Sequence, residues 1–184
     1  MALKNKTIYA ILGILNLSPG TGYDIKKYSD TVLSGFWHEN YGHIYPTLKK
    51  MLNDGLIAIA SGNNHEKKIL YYITAKGKQT LEAWLAADTV AQPIRSELML
   101  KLLFSSSQPK ESTIRMLEKY KALHEKDLAR YLDLQKDLGQ GIQEIAPERT
   151  YLLNAVLRRG IISDEAVIRW CDETIAALRH ASSH

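Results

Sequence analysis

The stretch 40–57, NYGHIYPTLKKMLNDGLI, holds one expected helix with a proline in its opening turns, and that proline restricts where the helix can begin. Deep inside a helix, proline removes a hydrogen bond and strains the preceding turn, at a cost of about 3 kcal/mol. Near the start the cost falls, because the first N–H groups have no partner within the helix. Pro46 therefore sets the expected start at Tyr41 or Gly42, with Asn40 as the capping residue. On a 3.6-residue wheel Ile44, Leu48, Met51 and Leu52 form one narrow apolar stripe. The opposite side carries His43, Pro46, Lys49, Lys50 and Asn53, with Thr47 on the flank. Asp54-Gly55 ends the helix, since glycine takes the left-handed conformation that a C-terminus needs. Polar side chains in the first turns and two lysines one turn later suit a helix that reads base edges while its cations meet phosphates. The same pattern also fits an ordinary amphipathic helix with a solvated lysine face.

The segments on either side make this helix the centre of a small domain. Lys4 to Leu17 is expected to be helical, with Ile8, Ile11, Leu12 and Leu15 buried. Ser18-Pro19-Gly20 forms a turn. A second helix opens at Thr21-Gly22-Tyr23-Asp24 and runs to about Leu33, where Ser34-Gly35 break it. After Gly55 the periodicity changes: 56–60 and 69–73 read as two strands around a polar turn, a β-hairpin wing. Thr74 caps a fourth helix whose apolar face is Leu81, Trp84 and Leu85. Three helices, a hairpin and a fourth helix constitute a winged helix-turn-helix over residues 1–87.

These residues carry a resemblance. The runs GYDI (22–25), GHIYPTLKKMLNDGLI (42–57), KKILYYITAKGKQTLEAWL (67–85) and SELMLKLLFS (96–105) resemble the PadR family of bacterial transcriptional regulators. They are most similar to the branch whose type member represses phenolic acid decarboxylase genes. The RRGI and RWC runs between 158 and 171 are similar to that branch too. The resemblance implies a dimeric repressor released from its operator by a small effector, a planar aromatic acid held between the winged helix and a helical domain.

Residues 88–95 form a linker in which Pro93 opposes a continuous helix. The fold class is mainly α with a small β wing: an N-terminal winged helix-turn-helix and, over residues 96–184, a helical dimerisation and effector domain. A short helix, 96–104, precedes a long one from about Pro109 to Leu138 with Leu117, Leu128, Tyr131 and Leu138 on one stripe. His124 falls on the same stripe, as a core or interface residue. The last helical section, 148–180, contains Gly160, and continuity through that residue is left open. Two long helices joined by a loop would bury both faces by packing on a second copy, and packing within one chain is the alternative.

Charge and cysteine usage narrow the function. The net charge is +4, and residues 1–90 hold 10 Lys/Arg against 7 Asp/Glu while residues 91–184 hold 14 against 13. The basic excess thus lies mostly in the half with the winged helix, which permits a nucleic-acid partner. A single cysteine, Cys171, excludes an internal disulfide and fits a reducing compartment. With neither a signal-peptide core nor an apolar run of about 18 residues, the expectation is a cytoplasmic protein without membrane contact. No metal-ligand spacing and no phosphate-cradling glycine loop occur, so no enzymatic activity and no cofactor are expected.

The expected DNA contacts follow from the wheel and the wing. His43 and Thr47 are assigned to bases and Tyr45, Lys49 and Lys50 to phosphates, with Tyr41 as a further DNA contact. His65, Lys67 and Lys68 in the wing reach the backbone or the minor groove, and Lys4 and Thr7 at the first helix are further backbone candidates, on double-stranded DNA with an inverted-repeat operator. For a phenolic acid effector, Trp37, Met99, Phe104, Tyr151 and Trp170 offer walls, and Lys101, Arg149 or Arg158 a charge partner; each aromatic equally suits plain core packing. Two other readings stay open: a winged-helix regulator answering a different signal, and a protein–protein adaptor that binds no DNA.

Overall fold

The computed structural model describes residues 6–33, 36–37, 39–60, 69–89, 95–139 and 147–180. Two compact units divide the chain, Met1–Ala91 and Gln92–His184.

In the first unit α1 (Thr7–Leu17) is followed by α2 (Gly22–Tyr28), which passes into a π-helical turn, Ser29–Leu33. A capping box fixes the start of α2: the Thr21 hydroxyl accepts the Asp24 N–H at 3.2 Å, and the Asp24 carboxylate accepts the Thr21 N–H at 2.9 Å. Next come α3 (Tyr41–Asn53), β1 (Ile57–Ile59), β2 (Tyr71–Ile73) and α4 (Ala75–Ala86). β1 and β2 pair antiparallel, Ile57 opposite Ile73 and Ile59 opposite Tyr71. Gly20 adds a bridge to Tyr71, so the turn after α1 is hydrogen-bonded to the outer edge of the hairpin.

The expected stripes meet in one core. Ile11, Leu12 and Leu15 of α1 pack with Ile44, Leu48 and Met51 of α3. Each such aliphatic side chain contributes about 1.5–3 kcal/mol by leaving water. Gly55 takes φ +69°, the left-handed residue the sequence calls for after α3. Thr74 then links the end of α3 to the start of α4. Its hydroxyl lies 2.8 Å from the Gly55 carbonyl and 3.0 Å from that of Leu56, and accepts the Gly77 N–H at 3.1 Å. Leu85 departs from expectation: it is 67% exposed, and α4 instead turns Trp84 toward α1, where its ring stacks on Tyr9 at 4.6 Å. The helix buries only Gly77 and Leu81, a face narrower than the sequence pattern suggests.

The second unit holds α5 (Glu97–Leu103), a 3-10 turn at Ser105–Ser107, α6 (Lys110–Gly139) and α7 (Pro147–His180). Cross-contacts run in opposite directions along α6 and α7, Arg179 to Glu118, Lys121 to Asp172 and His124 to Asp164, so the pair is antiparallel. α7 continues through Gly160, which resolves the open question about that residue. Glycine is there because the Tyr131 ring of α6 lies against it: a Cβ would stand 2.6 Å from that ring. His124 is on the inward stripe, its Nδ1 2.7 Å from Asp164 Oδ1, with the Tyr120 ring edge-on at 4.5 Å. Leu123, Leu132, Tyr151, Leu152, Val156 and Ile162 of the same two helices remain exposed.

Two measurements test this packing. A Cβ at Gly77 would stand 2.1 Å from the Leu56 carbonyl oxygen and 2.8 Å from the Ile73 side chain. Gly77→Ala is expected to lower stability by about 1–3 kcal/mol, read from the urea midpoint; an unchanged midpoint contradicts the contact. Cys171 is fully buried, and burial, reinforced by Asp172, raises its thiol above the ordinary range. Native protein should therefore react far more slowly with a chromogenic disulfide than urea-unfolded protein, and equal rates would place the thiol at the surface.

Candidate nucleic-acid interface

The outward face of α3 is built from its N-terminus. Asn40 stands in extended conformation and its side-chain oxygen accepts the His43 N–H at 3.0 Å, which fixes Tyr41 as the first helical residue. The remaining first-turn N–H groups, and the positive end of the helix dipole, are left for an anion or for water. Pro46 sits five residues past the start, in the second turn. It therefore does remove a hydrogen bond, the one to the Gly42 carbonyl, contrary to the expectation that its place near the start would spare it. Gly42 is exposed, so water can satisfy that carbonyl.

His43, Tyr45, Pro46, Lys49, Lys50 and Asn53 all lie exposed on this helix. Tyr41 and Tyr45 stack on one another at 5.9 Å, and the Lys26 ammonium of α2 is 5.7 Å from the Tyr41 ring centre. Lys26 also pairs with Asp30. Tyr45 reaches this position because Gly22 has no side chain: a Cβ there would stand 2.7 Å from the tyrosine ring. Burial, then the neighbouring Tyr45, raises the Tyr71 phenol above its ordinary range, so it stays a neutral hydroxyl.

Two of the expected contacts are corrected. Thr47 is 5% exposed and faces the core side of α3, not the flank open to solvent. Its position, three residues after Ile44 and one before Leu48, sets it beside the apolar stripe of the helix. Thr7 of α1 is likewise buried. Both line the inner wall of a groove of about 490 Å³ between α1 and α3, together with Lys6, Trp37, Gly42, His43 and Pro46. Lys4, His65, Lys67 and Lys68 lie outside the described residues.

One residue that sequence reasoning missed is Glu39. It is buried just before the cap, where its Oε1 accepts the Trp37 indole N–H at 2.6 Å. Trp37 is thus committed to a polar contact beside His43. The sequence signal was the spacing of Glu39 and His43, four residues apart, but Glu39 precedes the helix and the usual i,i+4 rule does not reach it.

The other effector candidates belong to the second unit. Met99, Phe104 and Tyr151 are exposed, while Trp170 is half-buried. Lys101 pairs with Glu97 at 2.5 Å, and that hydrogen bond holds the Glu97 carboxyl below its ordinary range. Lys101 also lines a groove of about 700 Å³ with Arg95, Arg115, Lys119, Tyr120 and Leu123. Arg149 and Arg158 both lie on α7, outside the residues that line this groove. Among the described residues, no three His, Cys, Asp or Glu side chains are grouped to hold a metal ion, and no helix is long and apolar enough to cross a membrane.

Comparison with known proteins bears on both units. Residues 11–83 match the model of the transcriptional regulator PadR-like family, and residues 94–179 match the virulence activator alpha C-terminal family. The negative transcriptional regulator PadR of Bacillus subtilis is 35% identical over 180 residues, spanning 92% of this chain and 96% of that protein. The crystal structure of Bacillus subtilis PadR in complex with operator DNA superposes with TM-score 0.80 and 26% identity, covering 96% of this chain and 99% of that one. The same protein in complex with p-coumaric acid gives TM-score 0.73 and 26% identity, over 94% and 98%.

Proposed function

The chain belongs to the PadR-like family of transcriptional regulators, and from that premise we propose that it is a homodimeric DNA-binding repressor released from its operator by a small phenolic acid. The observation that carries this reading is the outward face of α3, with His43 in its first turn, Tyr45 beside it, and Lys49 and Lys50 one turn further on. Placed in a major groove, the first turns meet base edges and the lysines meet phosphates. We assign His43 to a base and Tyr41, Tyr45, Lys49 and Lys50 to the backbone. Thr47 and Thr7, being buried, hold the α1–α3 packing instead of touching DNA.

One such module makes few contacts, so a second copy is needed for tight binding. Two copies about 34–36 Å apart on an inverted repeat meet successive major grooves on one side of the duplex. The apolar residues left exposed on α6 and α7 support self-association through those helices. For the effector, a carboxylate-bearing ring needs a cation and apolar walls. Within the second unit, Lys101 is the charge partner we assign to it, with Met99, Phe104, Tyr151 and Arg149 as the other candidates. Effector binding releases DNA if it favours a dimer geometry whose two α3 helices no longer match the half-sites. A chain acting on DNA in this way works in the cytoplasm.

The direct test is fluorescence anisotropy with the promoter DNA upstream of the chain's own gene, at two salt concentrations, with and without p-coumarate. Salt-sensitive binding abolished by p-coumarate is expected; binding indifferent to it would discard this effector class. Lys50→Ala should weaken binding to all sequences and lower the salt slope by about 1, and an unchanged slope refutes the phosphate contact. His43→Ala should cost about 1–3 kcal/mol at a single operator position; equal losses on operator and random DNA would rule the base contact out.

A further inference from the structure

Glu39 is an acid buried beside the helix just assigned to DNA. Its side chain is 4% exposed, and while Oε1 accepts the Trp37 indole N–H, Oε2 accepts no hydrogen bond from any described residue. Buried carboxylate oxygens are normally hydrogen-bonded, so one left without a donor requires an explanation. The group facing it is Nδ1 of His43, at 3.8 Å. That is about 1 Å beyond hydrogen-bond length. His43 is 64% exposed, and closing the gap takes a rotation of its ring about the side-chain bonds.

We infer that Glu39 is a positioning residue for His43, one that selects which ring nitrogen carries the proton when α3 meets DNA. This rests on the assignment of His43 to a base. In the neutral ring one nitrogen donates and the other accepts. If Nδ1–H donates to Glu39 Oε2, the far nitrogen, Nε2, is left as a bare acceptor on the exposed side. An acceptor in the major groove pairs with the exocyclic amine of adenine or cytosine, and is repelled by the O6 and N7 of guanine and the O4 of thymine. The buried acid thereby sets base preference without touching DNA, as a carboxylate behind a metal-bound histidine sets its tautomer.

Trp37 makes the inference testable with one substitution. Its indole N–H needs an acceptor at position 39. In Glu39→Gln the amide oxygen keeps that contact, which turns the amide NH₂ toward His43 Nδ1. The proton then moves to Nε2, and His43 presents a donor. The preference should invert, from adenine or cytosine to guanine or thymine.

The experiment is selection from a randomised half-site library built on the promoter DNA upstream of the gene, using the full chain. It is run at about pH 8, above the ordinary titration range of histidine. The wild-type chain should enrich adenine or cytosine at one position, His43→Ala should flatten that position, and Glu39→Gln should shift it to guanine or thymine by about 5- to 150-fold. If His43→Ala flattens a position at which Glu39→Gln keeps the wild-type choice, the His43 contact stands and the role of Glu39 is overturned. If His43→Ala flattens no position, the base contact itself fails and the inference with it. Circular dichroism and a thermal melt check the fold of each variant. Should Glu39→Gln not fold, Glu39→Ala serves instead: it frees the ring and should spread the preference over both classes, and a retained adenine or cytosine preference overturns the inference.

Discussion

The carbonyl of Leu56 is the point on which the first unit turns. It accepts the Thr74 N–H at 3.1 Å, lies 3.0 Å from the Thr74 hydroxyl, and is approached so closely by Gly77 that no side chain fits between them. Lys76 adds a bond from its ammonium to the Asp54 carbonyl at 2.7 Å. The end of α3, the first residue before β1 and the first turn of α4 are thus tied together within a few ångströms. The direction of α3 is set by this junction at one end and by its apolar stripe on α1. The exposed residues of α3 inherit that direction.

Local chemistry made most of the first unit legible. Asn40, Gly55 and Thr74 act through their own backbone neighbours, so their cap and turn roles follow from residue type and position alone. The apolar stripe of α3 is similarly fixed by its 3.6-residue period. Thr47, Leu85 and Glu39 were misread or missed because their burial depends on what arrives from elsewhere in the chain. Thr47 is buried on the wall of the groove between α1 and α3, Leu85 is left exposed near the end of α4, and Glu39 is held by Trp37 in a loop with no periodicity to read. For the effector candidates, residue type named suitable walls and cations. Type alone does not bring side chains together in one cavity.

Charge is used differently in the two units. In the first, Lys49 and Lys50 stand in solvent with no carboxylate partner within the described ion pairs, so their field is available to a polyanion. In the second, ion pairs cross between α6 and α7. Exposed pairs such as Arg179 with Glu118 contribute only about 0–1 kcal/mol each. The half-buried His124–Asp164 pair has a more specific effect, because separating it would leave a carboxylate in an apolar seam. It therefore penalises wrong alignments of the two helices more than it stabilises the right one.

Gly160 sets a mechanical limit on that helix pair. The Tyr131 ring occupies a notch that exists only where α7 lacks a side chain; the positions about one turn away on the same face, Leu157 and Asp164, carry side chains. Sliding α6 along α7 toward either of those positions would drive the ring out of the notch and into a side chain, so shear of the two helices past each other is opposed. Small displacements must be carried as a pivot or a rigid-body rotation of both helices together, because close-packed seams move between discrete arrangements. The α6–α7 arm behaves as a stiff lever with a keyed joint, not as a sliding coupling.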